Sequence, residues 1–397
     1  MDSIVAYTEE IDDMDQAASE IFEQVKNFTF HRQTIGIVFV DEETDYSGLY
    51  RKLSEKWKFP ILGCTAMAML VTDGFRNLGI SVMLLSADDC DFAVGITDDF
   101  YIDNYKEALE HTYRETLAKL PDKPKLIITY GSMVTENEHV DADFVLKILD
   151  EISDHVPICG AVASDGFTFS GYKVFLNDHI GCHCQAMVMI SGNIDPKFYT
   201  VNSIKNKSTS TYKVTEAKRN IVYRLNQSTF IDALRQANMM VSKKIVMGDY
   251  ILSPFVITLE YPNGDIVEEA RTLSYLDHES GAGAFLGDLP EGAILSIGII
   301  NRSDVQTSVE AGFDKVVEEL KRNEGKYKTI LCSTCCARFI ALGSNTAAEA
   351  EAYLGRLPPG VSLMGIYSYG EYGPVYGSKT HNHYNLFHNF TFSIILL

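Results

Sequence analysis

The side chains of this chain that could do chemistry together lie between residue 338 and the C-terminal end. They supply a guanidinium, a carboxylate, two phenols, an imidazole and an amide, from Arg338, Glu371, Tyr367, Tyr369, His388 and Asn389, with Gly370 beside the carboxylate. Such a set can recognise an amino acid if the guanidinium binds its carboxylate and the glutamate binds its ammonium, in a pocket with aromatic walls. The sequence leaves open the alternative that Arg338 and Glu371 pair with each other beneath surface loops.

A second kind of chemistry is suggested by Cys335 and Cys336, which open a predicted helix just before Arg338. A thiol at a helix N-terminus near an arginine can have a lowered pKa and act as a nucleophile, here with His388 as the general base. No histidine lies close to these cysteines in sequence, so packed thiols are the simpler interpretation.

The segment that contains His179, Cys182, His183 and Cys184 has metal-competent side chains. On a strand, Cys182 and Cys184 would share one face and His183 would lie on the other, whereas zinc sites usually use a Cys-x2-Cys knuckle. We therefore predict no metal site, and we predict no cofactor.

The elements that must position these side chains repeat three times along the chain. Each copy has an apolar strand-like run, a helix-like stretch and a second strand that ends at a Pro/Ser-x-x-Gly step, followed by a loop and a further apolar run. The first runs are residues 35–40, 126–130 and 329–332, the helices are 47–57, 140–152 and 345–357, the glycines are Gly63, Gly160 and Gly365, and the last runs are 80–85, 186–190 and 392–397. The predicted unit is β-α-β-loop-β.

This pattern predicts an α/β protein of internally duplicated units that form two sheet-based halves flanked by helices, with mixed, mainly parallel-connected sheets. The polar stretch at residues 202–211 is the best candidate boundary, which gives domains 1–205 and 206–397. Ligands in α/β sheets favour the carboxyl ends of strands, where we expect the three glycine-bearing turns to lie. Glycine there lets the backbone approach a ligand, or only meets a need for positive φ. Residues 280–284 are either an ordinary flexible connection or a mobile loop, which ligand binding would order together with residues 367–371.

The composition limits the classes of partner. A formal net charge of -20 argues against nucleic acid and against an anionic membrane surface. The N-terminus lacks the basic region and apolar core of a secretory signal, and the sequence has no run of about twenty apolar residues. We therefore expect a cytoplasmic protein without membrane insertion, whose eight cysteines are reduced.

At the polar residues of the C-terminal part and at the first two repeated glycines, the chain resembles the FIST family of sensory domains. The C-terminal part of that family carries a Cys-x-x-Arg step, a Gly-x-Tyr-x-Tyr-Gly-Glu motif and a closing His-Asn-x-Thr, which here are residues 335–338, 365–371 and 388–391. The family's N-terminal part is matched by Gly63-Cys64-Thr65 and by residues 160–165, which end at Asp165, although Met67 departs from the small or acidic residues common in relatives. The resemblance extends from about residue 30 to residue 397.

The resemblance implies a sensory domain of signal transduction that binds a small ligand, with amino acids or related metabolites as the proposed ligands. It adds Gly63, Cys64, Thr65, Gly160 and Asp165 to the expected ligand-binding residues. The signal would pass to a separate signalling protein. Two alternatives remain: a cysteine-dependent hydrolase or transferase, and a protein-interaction scaffold without a small ligand.

Overall fold

The structure is a computed structural model that describes residues 1–132, 142–244 and 246–397. Its described residues form four β-sheets with helices packed against them, which confirms the predicted α/β class with internally duplicated units. The helix predicted at residues 140–152 begins with two residues outside the described ranges, and the remainder is helical from Asp143.

The first two copies of the repeat have the same order of elements. The first contains β1 (Asp2–Thr8), α1 (Met14–Val25), β2 (Gln33–Val40), α2 (Tyr46–Lys56), β3 (Ile61–Thr65), β4 (Met69–Val71), β5 (Gly74–Arg76) and β6 (Ile80–Ala87). The second contains β7 (Cys90–Ile96), α3 (Tyr105–Leu117), β8 (Leu126–Gly131), α4 (Asp143–Ile152), β9 (Ile158–Val162), β10 (Val174–Leu176), β11 (His179–Gly181) and β12 (Gln185–Gly192).

The third copy is split by an antiparallel sheet that we call the inserted sheet. The copy begins with β13 (Lys197–Asn202). The inserted sheet and its helices are β14 (Asn206–Lys218), β15 (Ile221–Leu225), β16 (Ser228–Thr229), α5 (Phe230–Gln236), α6 (Met247–Tyr250), β17 (Phe255–Glu260), β18 (Ile266–Arg271), β19 (Leu273–Asp277), β20 (Ala282–Phe285) and β21 (Ile294–Ile299). The third copy resumes with α7 (Arg302–Arg322), β22 (Thr329–Cys335), α8 (Cys336–Leu342), α9 (Ala348–Glu351), β23 (Ser362–Ser368), β24 (Gly370–Tyr376), β25 (His383–His388) and β26 (Thr391–Leu396).

The three copies build their sheets in the same strand order. The described sheets run β1-β6-β2-β3, β7-β12-β8-β9 and β13-β26-β22-β23, and each continues into a two-stranded hairpin. In each, one pair is parallel, β2 with β3, β8 with β9 and β22 with β23, and the neighbouring pairs are antiparallel. The expectation of mainly parallel sheets is therefore wrong. The strands that α1 and α3 join, β1 with β2 and β7 with β8, are each separated by an antiparallel strand, so helical connections create adjacent parallel strands at only one place in each copy.

The hairpin that completes each sheet comes from another copy. The hairpin β10–β11 of the second copy pairs with β3 of the first, β24–β25 of the third pairs with β9 of the second, and β4–β5 of the first pairs with β23 of the third. These hairpins occupy the loop of the predicted β-α-β-loop-β unit. The exchange therefore runs round all three copies and closes.

The three repeated glycines lie inside β3, β9 and β23 and not in turns at the strand ends, so the expected position was wrong. A Cβ on Gly63 would lie 1.7 Å from the carbonyl oxygen of Val38 on the parallel strand, and one on Gly160 would lie 1.8 Å from that of Thr129. Gly160 also has φ of 139°. The glycines are required for close approach between strands.

One hydrophobic core runs through all three copies, whereas the inserted sheet has its own. The shared core includes Ile37, Ile128 and Ile330 on the first strands of the three parallel pairs. The inserted sheet packs around Phe255 and Phe285, whose ring centroids are 5.3 Å apart. The inserted sheet is thus a separately packed layer on a three-copy body.

Two further expectations are corrected. Residues 280–284 are not a loop throughout, because only Ser280 and Gly281 lie in a turn and Ala282–Phe285 is the buried strand β20, paired with β15 and β19. Cys182 and Cys184 lie in the turn between β11 and β12, and Cys182 is exposed whereas Cys184 is buried. The predicted division between residues 205 and 206 stays a prediction; residue 206 begins β14.

Candidate functional site

Arg338, the guanidinium singled out by the sequence, is fully buried in α8. Its Nε donates to Glu349 Oε1 at 2.6 Å, and its Nη1 donates to the hydroxyls of Ser203 and Ser308. Arg338 is therefore paired with a glutamate, as suggested, but the suggestion that this glutamate is Glu371 is wrong. Glu349 on α9 holds the guanidinium instead.

Tyr367 joins this pair in an enclosed cluster. Burial, with the neighbouring Glu349 carboxylate, raises the pKa of Tyr367 well above its ordinary value, so its hydroxyl stays protonated. Within the described part of the chain, Arg338 Nη2, Glu349 Oε2 and the Tyr367 hydroxyl have no hydrogen-bond partner. The structure thus brings Arg338 and Tyr367 together, and their role in ligand binding stays a prediction.

Glu371 is buried at the start of β24, next to Gly370. Burial raises its pKa to about 8, although Ser368 and Thr391 each donate a hydrogen bond of 2.8 Å to the carboxylate. The carboxyl is therefore largely protonated at neutral pH. A neutral, enclosed carboxyl is a poor partner for a ligand ammonium, so this geometry does not favour the role predicted for Glu371.

Asp165 and Tyr369 lie together and hold the loop at residues 165–171. The carboxylate accepts hydrogen bonds from the Tyr369 hydroxyl, from the amide and hydroxyl of Thr168, and from the amides of Phe169, Ser170 and Gly171. Burial alone would raise the pKa of Asp165, but these donors lower it to about 2. The ring of Tyr369 stacks on Phe169 at 4.4 Å. Every oxygen of Asp165 is thus engaged by its own loop.

Cys64, Thr65 and Asn389 also make contacts within the fold. Cys64 is buried in β3, where burial raises the pKa of its thiol. Thr65 Oγ1 accepts from the amide of Lys173 at 2.9 Å, and Asn389 Oδ1 accepts from the amide of Thr272 at 3.2 Å. These contacts join segments of different copies or of the inserted sheet.

The cysteines that could act as nucleophiles are enclosed. Cys335 caps α8 as expected, but burial raises the pKa of its thiol and that of Cys336. His388 Nε2 contacts the carbonyl oxygen of Gly373 at 3.0 Å, and Nδ1 lies 3.5 Å from Glu269 Oε1. The thiols have raised rather than lowered pKa values, so the geometry does not favour thiol catalysis.

A cleft that the sequence did not reveal lies between the inserted sheet and the second copy. It has a volume of about 910 Å³ and is lined by residues of β17, β18 and α4, by the segment that precedes β21, and by Leu386 of β25. Its charged floor consists of Glu269 and Arg271 on β18 with Asp143 and Lys147 on α4 and Asp288. The cleft is thus bounded by three parts of the chain that are distant in sequence.

Arg271 fixes the floor of this cleft. Nε donates to the carbonyl oxygen of Asp288 at 3.1 Å, Nη1 donates to those of Ala270 and Phe387, and Nη2 donates to Glu269 Oε2 at 2.5 Å and to Asp143 Oδ2 at 3.4 Å. Its five N–H groups are therefore all engaged. The guanidinium ties the inserted sheet to α4 and to β25.

Glu269 Oε1 is a buried carboxylate oxygen without a hydrogen-bond donor among the described residues. The residue is 1% exposed and lines the cleft. Burial lowers the pKa of His388, so the imidazole is neutral at pH 7, and its contact with Gly373 places its proton on Nε2. Nδ1 is then an acceptor that faces a second acceptor, Oε1, across 3.5 Å. The carboxylate oxygen needs a donor from elsewhere.

A signal for this floor is present in the sequence but is not sufficient. Glu269 and Arg271 are two residues apart on a strand, so they lie on one face together with Val267. Charged residues on the apolar face of a strand suggest a buried pair. The cover of that face, α4 and β25, comes from segments far away in the chain, and one sequence does not show this.

Comparison with known families gives two adjacent matches. The FIST N domain matches residues 34–228, and the FIST C domain matches residues 233–374. The chain belongs to the FIST family. FIST domains are sensory domains of signal transduction. The boundary between the two FIST domains falls at the N-terminal end of α5, inside the inserted sheet.

Two solved structures align with this FIST chain at low similarity. A cyanuric acid hydrolase from A. caulinodans shares 7% identity over 99% of this chain and 98% of its own, with a TM-score of 0.37. A second cyanuric acid hydrolase structure shares 8% identity over 75% of this chain and 99% of its own, with a TM-score of 0.33. No curated protein matches the chain. Similarity at this level carries no conclusion about activity.

In residues 1–132, 142–244 and 246–397, His, Cys, Asp and Glu side chains form no group of three or more that could hold a metal ion. None of the helices within those ranges combines the length and the apolar character needed to cross a membrane.

Proposed function

We propose that this FIST protein is a cytoplasmic sensory protein that binds an amino acid or a related metabolite in the cleft beside the inserted sheet and acts through a separate signalling protein. The observation that carries the proposal is the buried side chain of Glu269, which lines the cleft and whose Oε1 has no hydrogen-bond donor among the described residues. A ligand ammonium would supply that donor, with the charge-assisted hydrogen bond that such a carboxylate favours.

The cleft is suited to a small molecule in size and lining. Ligand pockets usually measure roughly 300–1,000 Å³, and this one falls within that range at about 910 Å³. Tyr261 lines one wall and stacks on Tyr384 with ring centroids 4.1 Å apart. Leu259 and Pro290 add apolar surface. A charged floor with an aromatic and apolar wall suits an amine that carries a short carbon chain.

The position of the cleft suits transmission of a signal. Its walls belong to the inserted sheet and to the second copy, and Arg271 connects them through Asp143. A ligand that touches both walls stabilises one arrangement of the two layers over others. A coupling of about 1–3 kcal/mol would suffice to change a docking surface for the partner.

The proposal is tested by a thermal-shift screen of amino acids and related metabolites, followed by calorimetry. A ligand at one hundred times its dissociation constant stabilises the protein by about 2.7 kcal/mol. We expect ligands that stabilise the wild type and the control variant Glu310→Gln, whose side chain is exposed on α7, but not Glu269→Gln. If a ligand stabilises Glu269→Gln as much as the wild type but fails with Arg338→Ala, the site is the Arg338 cluster and the proposed cleft is wrong.

A further inference from the structure

The cations at the cleft are already paired. Arg271 uses all five N–H groups on protein acceptors. Lys147 Nζ contacts Asp288 Oδ2 and lies 3.7 Å from Asp143 Oδ2. A ligand carboxylate in this cleft would therefore have to displace a buried or half-buried ion pair before it could bind a cation.

The anions at the cleft are not fully used. Besides Glu269 Oε1, the buried Asp288 Oδ1 has no hydrogen-bond partner among the residues that the structure describes. Glu260 and Glu291 add negative charge to the same lining. The cleft thus contains five carboxylates, of Asp143, Glu260, Glu269, Asp288 and Glu291, against the two cations Lys147 and Arg271.

This imbalance of charge distinguishes an amine from the amino acid that has the same side chain. An amine would place its ammonium against the unpartnered carboxylate oxygens. The matching amino acid would bring the same ammonium together with a carboxylate, which the surrounding acids repel and for which no uncommitted cation stands among the described lining residues. Burying a carboxylate without a partner is costly, so the amino acid should bind more weakly.

We infer that the cleft selects primary amines and diamines that carry no carboxylate over the corresponding amino acids. The inference rests on the proposed function, since it narrows the ligand of the same cleft. One ammonium donates to Glu269 Oε1 and the aliphatic chain lies along Leu259 and Tyr261. In a diamine, the second ammonium binds the lining carboxylates of Glu260 and Glu291.

The experiment compares matched pairs by calorimetry on the full chain at physiological salt. The pairs are cadaverine with lysine, agmatine with arginine and tyramine with tyrosine. We expect at least one amine to bind ten or more times more tightly than its amino acid. Glu269→Gln should weaken that binding tenfold or more, and Glu310→Gln should leave it unchanged. The mono-acetylated form of the bound amine, in which one ammonium is removed, should bind more weakly.

The possible results distinguish a failure of the amine preference from a failure of the proposed function. Amino acids that bind as tightly as their amines, and that depend on Glu269, would overturn the inference and leave the proposed function standing. Binding by none of the six compounds would overturn the inference, and the wider metabolite screen would then decide the proposed function alone. If Glu269→Gln fails to fold, Asp288→Asn provides the variant test. The preference of the wild type for amine over amino acid needs no variant.

Discussion

At the scale of single residues, buried charge in this protein is held by pairs that leave some polar atoms unsatisfied. The pair of Arg338 and Glu349 is fully buried, and each partner keeps one polar atom without a hydrogen-bond partner in the described chain. Burying such a pair costs desolvation free energy, and removal of one partner leaves the charge of the other buried without a counterion. The loss of stability on substitution can therefore differ greatly between a single variant, which leaves one charge unpaired, and the double variant, which removes both charges.

We predict that Arg338→Met destabilises the protein by about 3–5 kcal/mol because Glu349 is left buried without a counterion. The double variant Arg338→Met with Glu349→Leu should recover most of this loss. Chemical denaturation of the wild type, both single variants and the double variant gives the coupling energy. Additive losses in the double variant would show that the two side chains are not coupled.

Glu371 should make stability depend on pH. Its pKa is about 8 in the folded protein against an ordinary value of 4.5, so the folded state holds the proton more tightly than the unfolded state. The stabilisation is fully present below pH 4.5 and is lost as the pH rises through about 8, at up to about 1.4 kcal/mol per pH unit between those values.

The prediction for Glu371 is measured by denaturation at several pH values between 5 and 9 for the wild type and Glu371→Gln. The amide cannot ionise, so the wild type should lose stability relative to this variant as the pH rises. A difference between the two that is constant over this range would contradict the raised pKa. Glu310→Gln again serves as the exposed control on α7.

At the scale of residues, the sequence was sufficient to identify some of the important polar side chains but not their partners. It identified Arg338, Tyr367 and His388 as notable polar residues, and all three are buried. It could not name their partners, because Glu349 and Glu269 are brought to them by α9 and β18, and a single sequence contains no information on such contacts. The cleft was missed for the same reason.

At the scale of elements, the repeated parallel pair depends on a glycine at which two strands approach closely. Gly160 lies opposite Thr129, and Gly365 lies opposite Cys332 at the same place in the third copy. The pairs β2–β3, β8–β9 and β22–β23 follow the β-α-β pattern read from the sequence. Strand order did not follow from it, since four of the six exchanged strands, β4, β5, β10 and β11, have only three residues each and no distinctive pattern.

We predict that Gly160→Ala destabilises the protein by about 3 kcal/mol or more. Its Cβ would clash with the carbonyl oxygen of Thr129, and its φ of 139° is unfavourable for alanine. The matched control is Gly248→Ala, since a Cβ on Gly248 meets no described atom within 4 Å. Thermal unfolding of both variants tests the claim. Equal melting temperatures for the two would mean that the strands can separate at little cost.

At the scale of the whole molecule, the exchange of hairpins means that no copy is complete alone. Residues 1–205 contain the first two copies but lack β24–β25, which completes the sheet of the second. Residues 206–397 lack β4–β5, which completes the sheet of the third, and lack β13. Each fragment would expose an apolar sheet edge.

We predict that neither fragment, 1–205 nor 206–397, unfolds cooperatively by itself, and that the two assemble into one complex when produced together. Circular dichroism during heating tests the separate fragments, and size-exclusion chromatography tests the mixture. A fragment that melts alone as sharply and at the same temperature as the full chain would show that the exchanged hairpin is dispensable. That result would also support the proposed division into two independent domains.

The closed exchange has a consequence for symmetry. Three separate chains, each equal to one copy, could complete the same three sheets by lending hairpins around a ring, and every site on such a trimer would occur three times. Joining the copies into one chain lets a single position change without the other two. Among the three copies that the structure describes, the third alone carries the inserted sheet. The cleft beside that sheet therefore occurs once, and we expect one molecule to bind one ligand.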